Sequence, residues 1–81
     1  MHDRRREFRT SVNKVGTIKF GPAKYQLPCT VIDLTPRGAG LIVASVFGVP
    51  KVFQLTINGE TETKHCQVIW SEGKKLGVSF E

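Results

Sequence analysis

The stretch Phe53-Gln54-Leu55-Thr56-Ile57-Asn58-Gly59 decides the fold class. Phe53, Leu55 and Ile57 alternate with Gln54 and Thr56, which sets three apolar side chains on one face of a strand. Asn58-Gly59 follows, a pair suited to the positive φ angles of a tight hairpin. Beyond it Cys66, Val68 and Trp70 alternate with His65, Gln67 and Ile69. The spacing predicts a second strand folded back on the first. Trp70 falls on the Cys66–Val68–Trp70 face, which assigns it to the core ahead of a stacking role at the rim. Ser71 to Lys74 predicts another turn, with Gly73 available for positive φ. Leu76, Val78 and Phe80 then close the chain.

The same period runs towards the N-terminus. Gly16, Ile18 and Phe20 alternate with Val15, Thr17 and Lys19 until Gly21-Pro22. Cys29 to Leu34 is almost continuously apolar and β-branched, with Pro28 placed at its start. Pro36-Arg37-Gly38 predicts a turn, and Ala39 to Val43 a third strand in which Gly38 and Gly40 suggest a bulge or a close backbone approach. Val46 to Val49 is expected to form one helical turn before Pro50. Six short strands at roughly ten-residue spacing imply an all-β fold, an antiparallel barrel or sandwich.

The first eleven residues have no such period. They carry Arg4, Arg5, Arg6 and Arg9 and read as a flexible basic arm, so residues 1–11 are assigned to an arm and 12–81 to the β-domain. At 81 residues the chain has room for one domain and one small core. Twelve Lys plus Arg against seven Asp plus Glu leave +5, which favours an anionic partner. All five arginines sit at positions 4, 5, 6, 9 and 37, whereas the lysines are scattered. Arginine offers a planar fork of donors for phosphate and guanine.

Several classes fall away. No apolar run approaches the ~20 residues of a membrane-spanning helix. Met1-His2-Asp3-Arg4 lacks the apolar start of a signal peptide, so the cytoplasm is the expected location. Cys29 and Cys66 are expected as buried free thiols, and His2 and His65 have no ligand cluster, so no metal site is expected. Cys66 and His65 are neighbours on a strand and point to opposite faces, so they cannot form a dyad. No paired carboxylates and no phosphate-cradling glycine loop occur. No catalytic residue and no cofactor are assigned.

Two segments remain. Arg4-Arg5-Arg6-Glu7-Phe8-Arg9 contains the spacing R-R-x-x-x-R at Arg4, Arg5 and Arg9, and Asp33-Leu34-Thr35-Pro36-Arg37-Gly38 reads D-x-T-x-x-G. In this order, ahead of a C-x-V-x-W strand and a G-V-x-F ending, they resemble the PilZ family of cyclic di-GMP receptors. That family's signature is an RxxxR arm followed by [D/N]xSxxG on a six-stranded antiparallel split barrel. The resemblance implies cyclic di-GMP as ligand, held by Arg4, Arg5, Arg9, Asp33, Thr35 and Gly38. Arg5 and Arg9 take the arm positions that hold guanine edges and phosphates. Arg4 takes the preceding position, where arginine goes with binding a stacked ligand dimer. Thr35 departs from the family's Ser; it keeps the hydroxyl and adds a methyl that fixes χ1.

The chemistry is sound residue by residue. Guanine's O6 and N7 suit a bidentate Arg, and Asp33 can accept from guanine N1–H and the N2 amino group. Asp33 could equally cap its own turn. Gly38 would let the backbone turn and approach the ligand. Two rival readings stand beside this one: a small basic barrel binding nucleic acid, and a ligand-independent protein-interaction module. Single-strand binders interleave basic residues with exposed aromatics, whereas Phe20, Phe53, Trp70 and Phe80 fall on predicted core faces, so nucleic acid is not the expected partner. The downstream protein partner is not identified.

Overall fold

A computed structural model of the chain describes residues 10–58 and 60–81. The described residues form six strands: β1 (Thr10–Phe20), β2 (Tyr25–Thr35), β3 (Gly38–Ile42), β4 (Val52–Ile57), β5 (Thr63–Glu72) and β6 (Lys75–Phe80). All pairings are antiparallel, and the order β1-β2-β3-β6-β5-β4 closes into a barrel. Closure leaves no long unpaired edge. Among the described residues no helix is long and apolar enough to cross a membrane.

The alternating residues of each strand fill the barrel. Ile18, Val31, Leu41, Leu55 and Cys66 are fully excluded from solvent, with Ile57, Leu76, Val78 and Phe53 close behind. Each such Leu, Ile or Phe contributes about 1.5–3 kcal/mol by leaving water. Gly16 takes part by its smallness: a Cβ there would lie 3.0 Å from Cys29 Sγ and 3.3 Å from Leu55 and Val31 carbons. Cys29 and Cys66 are buried free thiols.

The elements differ from the sequence expectation at five places, each for a local reason. Thr10 and Ser11, assigned to the arm, pair with Leu34 and Asp33 as the start of β1. Pro28 lies inside β2 opposite Thr17, but β3 pairs with β2 only from Thr30 onward. A missing N–H is tolerated where a strand has one neighbour. The two-residue hairpin expected at Asn58-Gly59 includes Gly59, which lies outside the described residues; β4 and β5 begin pairing at Thr56 and Thr63, a wider separation than such a hairpin has. The Asn58 amide donates to Val15 O at 2.9 Å, which keeps the chain on β1 after β4 has ended. Residues 46–49 form a reverse turn, with Val49 N–H donating to Val46 O and Gly48 at φ 88°, instead of a helical turn. The fifth difference, at Trp70, bears on the site.

The β5–β6 hairpin follows the reading closely. Glu72 pairs with Lys75, leaving Gly73-Lys74 as a two-residue loop. Gly73 has φ 64°, as the first position of a type II′ turn requires.

Candidate functional site

The site begins with a break in strand regularity. In β2, Val31 pairs with Leu41 and Asp33 with Gly40, so Ile32 is an extra residue. Such a bulge resets which side chains face inward. Val31 is buried and Leu34 packs on the core, three residues apart instead of two or four. Asp33 is thereby carried to the outside. Its carboxylate lies over Gly40, with Oδ2 at 2.7 Å from where a Cβ would be.

A second bulge answers it across the barrel wall. In β5, Val68 pairs with Val78 and Trp70 with Gly77, so Ile69 is the extra residue. Uninterrupted alternation from Cys66 would have turned Trp70 inward, as the sequence suggested. The bulge reverses this, and Trp70 is 46 % and Ile69 62 % exposed. Trp70 is a surface residue, not a core one. Its indole rests on the outer face of β6 at Gly77.

Between Asp33 and Trp70 lie β3 and β6, paired without interruption from Gly38–Ser79 to Ile42–Lys75. Ala39, Leu41, Leu76 and Val78 point inward as core, so Gly38, Gly40, Gly77 and Ser79 face out. The result is an open concavity of ≈ 430 Å³, walled by Asp33 and Ile32 on one side and by Ile69 and Trp70 on the other. Arg37, Lys75 and Ser79 supply polar groups around it. Two cations, one carboxylate, an indole and two aliphatic side chains can grip a planar, polar, anionic molecule from several sides.

The turn at its head is built by Thr35. Its Oγ1 accepts hydrogen bonds from the Arg37 and Gly38 amides at 3.0 and 3.1 Å. Phe80 N–H donates to Arg37 O at 2.7 Å and ties the turn to β6. The capping role considered for Asp33 therefore belongs to Thr35, which leaves the Asp33 carboxylate directed over Gly40. Gly38 has no positive φ. A Cβ there would run into the Val78 carbonyl oxygen, so this glycine admits β6 to close approach.

Asp33, Thr35 and Gly38 are thus brought to one concavity. Arg4, Arg5 and Arg9 lie outside the described residues. The chain enters β1 at Thr10 and Ser11, opposite Leu34 and Asp33, so the basic segment joins the barrel beside the second motif. Sequence reasoning missed Lys75 and Ser79, which belong to no motif, and misplaced Trp70. No periodicity signals a single inserted residue such as Ile69.

A closed antiparallel barrel with its ligand-sized concavity outside, against the wall, defines a small binding module. The model of the PilZ domain family matches residues 3–81, and the chain belongs to that family. Two solved structures are similar. One is the PilZ domain with c-di-GMP of YcgR from Escherichia coli, with a TM-score of 0.76 and 19% identity over 96% of this chain and 78% of that one. The other is YcgR in complex with c-di-GMP from Escherichia coli, with a TM-score of 0.70 and 26% identity over 96% of this chain and 38% of that one. No curated protein matches the chain.

Proposed function

We propose that the chain is a receptor domain for cyclic di-GMP in bacterial second-messenger signalling, acting in the cytoplasm and without catalysis of its own. The observation that carries this is the outward-aimed Asp33, set in the concavity on the barrel wall and opposite Ser11, where the chain that carries the Arg4-Arg5-Arg6-Glu7-Phe8-Arg9 segment joins the barrel. Membership of the PilZ family supports it, as do the two similar structures, both holding c-di-GMP.

Each group has a task matched to its chemistry. Asp33 accepts from guanine N1–H and the N2 amino group. Trp70 gives a flat face on which a base can stack. Arg5 and Arg9 meet guanine acceptors and phosphate oxygens through bidentate, charge-assisted bonds, and Arg4 suits a stacked pair of ligands. Thr35 and Gly38 hold the turn and the seam that frame the site. The arm closes over the ligand against the barrel, and the altered surface is read by a downstream protein.

Trp70's exposure adds one aromatic to those available for nucleic acid. It shares its concavity with Asp33, whose charge repels a phosphate backbone, and this favours a discrete ligand over a polymer. Calorimetric titration tests the reading. Cyclic di-GMP should give saturable heat that GTP and a single-stranded oligonucleotide do not. Arg5→Ala and Arg9→Ala should each weaken binding by about 2 kcal/mol. Absence of heat with cyclic di-GMP at tens of micromolar protein would sink it.

A further inference from the structure

Gly40 of β3 and Gly77 of β6 stand directly opposite one another on the outer face of the barrel. This pairing is unfavourable on its own terms. Glycine is a poor strand residue, and two facing glycines forgo a cross-strand side-chain contact. Nothing inside the barrel requires them, because both face outward between core residues Ala39 and Leu41, and Leu76 and Val78. What requires them lies outside. A Cβ on Gly40 would meet the whole Asp33 carboxyl group, with Oδ2 at 2.7, Cγ at 3.1 and Oδ1 at 3.2 Å. A Cβ on Gly77 would overlap the pyrrole edge of Trp70, at Nε1, Cε2 and Cδ1.

We propose that the Gly40–Gly77 pair is a seat that positions Asp33 and Trp70 for ligand. The two groups come from β2 and β5, which are three strand spacings apart, roughly 14 Å of barrel wall. Ordinary side chains on β3 and β6 would hold them upright and separate. Bare backbone lets the carboxylate and the indole lean inward over adjacent glycines. Without side chains, Gly40 and Gly77 offer a flat floor. A planar base edge can then reach the carboxylate while its face meets the indole. This inference rests on the reading of the concavity as the cyclic di-GMP site, and it makes Gly40 and Gly77 positioning residues.

Gly38 supplies the internal contrast. Its excluded Cβ would strike backbone, the Val78 carbonyl, and not a site side chain. Substitution at Gly38 should therefore damage the barrel, whereas Gly40 and Gly77 should report on the site.

The test uses the full chain and the variants Gly40→Ala and Gly77→Ala, each also in the background that removes its client, Asp33→Ala and Trp70→Ala. Trp70 is the sole tryptophan, so its emission reports its position without ligand. Both single variants should melt cooperatively near the wild type. Gly77→Ala should shift the emission to the red in the ligand-free protein, and Gly40→Ala should leave it in place. Each should weaken cyclic di-GMP binding about tenfold, within the ~1–3 kcal/mol of a base contact. Neither should weaken it further once its client is gone. Losses that add fully in those backgrounds, or an unshifted emission in Gly77→Ala, would overturn the proposal. Should wild type bind no cyclic di-GMP, the functional reading falls, while the ligand-free emission still decides whether Gly77 seats Trp70.

Discussion

Two seams of the barrel wall are built from the same kind of ladder and serve different ends. Along β1–β4 the register runs unbroken from Gly16–Ile57 to Lys19–Gln54, with Ile18 and Leu55 facing in and Thr17, Thr56, Lys19 and Gln54 facing out. Along β3–β6 the register is equally regular, but the ladders on both sides of it, β2–β3 and β5–β6, are each interrupted by a bulge, at Ile32 and at Ile69. On the first seam alternation decides everything, and the outer surface is a solvated lattice of polar side chains. On the second, one inserted residue on each side moves Asp33 and Trp70 from the inner parity to the outer one. Glycines on the seam leave room for both. The site is made by breaking strand regularity at two points and leaving it intact between them.

Breaking the bulge on β2 should have the largest effect. Giving Ile32 a cross-strand partner, by inserting an alanine between Gly40 and Leu41, restores uninterrupted parity from Val31 and drives the Asp33 carboxylate into the core. An unpaired buried carboxylate costs several kcal/mol, enough to consume the stability of a domain this small. A variant that retained a cooperative thermal transition at the wild-type temperature would show that the bulge does not set Asp33's direction.

Gly38→Ala probes the seam itself. The collision with the Val78 carbonyl should lower stability by about 2–3 kcal/mol in a urea melt. An unchanged midpoint would mean the β3–β6 approach is slack.

Thr35→Val sharpens the division between frame and ligand contact. It keeps the shape and removes the acceptor for the Arg37 and Gly38 amides. The expected loss is about 1–2 kcal/mol of stability, read in the same melt before any ligand is added. A loss of affinity without a loss of stability would return Thr35 to direct ligand contact.

The smallest effect lies in the regular core, away from both bulges. Burial pushes the Cys29 thiol up to about 11 and the Cys66 thiol up to about 12, the latter also raised by Cys29 and Glu81 against a lowering by Lys64. Both native values exceed the ordinary 9.0. The unfolded chain therefore ionises first, and stability that is fully present below pH 9 declines as pH rises towards 11–12. Cys66→Ala should flatten that alkaline decline relative to wild type. At pH 8 a thiol reagent should find both cysteines inert in the folded protein and both reactive in denaturant.

Most of the barrel was legible because its information is periodic. The β1, β4 and β6 faces follow from Ile18, Leu55 and Val78 and their neighbours at spacing two, and burial confirms each. The turns at Gly73 and at Pro36-Arg37 follow from local backbone chemistry. The failures share one cause. Pro28 is tolerated because β3 stops short of it, Asn58 is held by Val15, and Trp70 is turned outward by Ile69. Each is a tertiary or register event that local pattern does not encode. Asp33, Thr35 and Gly38 were found as a motif, yet the motif did not reveal that Thr35 shapes the turn, that Gly38 serves the seam and that Asp33 alone of the three reaches over the concavity's floor. Lys75 and Ser79 join the site through the β3–β6 register, which no spacing in the sequence announces.

The central claim is that ligand meets the bulge-flanked seam and not the regular one. Amide chemical-shift mapping of isotopically labelled protein with cyclic di-GMP tests it most directly. The account predicts perturbations concentrated at Asp33 to Leu41, at Ile69 and Trp70, and at Gly77 to Ser79, with Thr17 to Lys19 and Gln54 to Thr56 unmoved. Shifts centred on the β1–β4 seam, or none at saturating ligand, would contradict it.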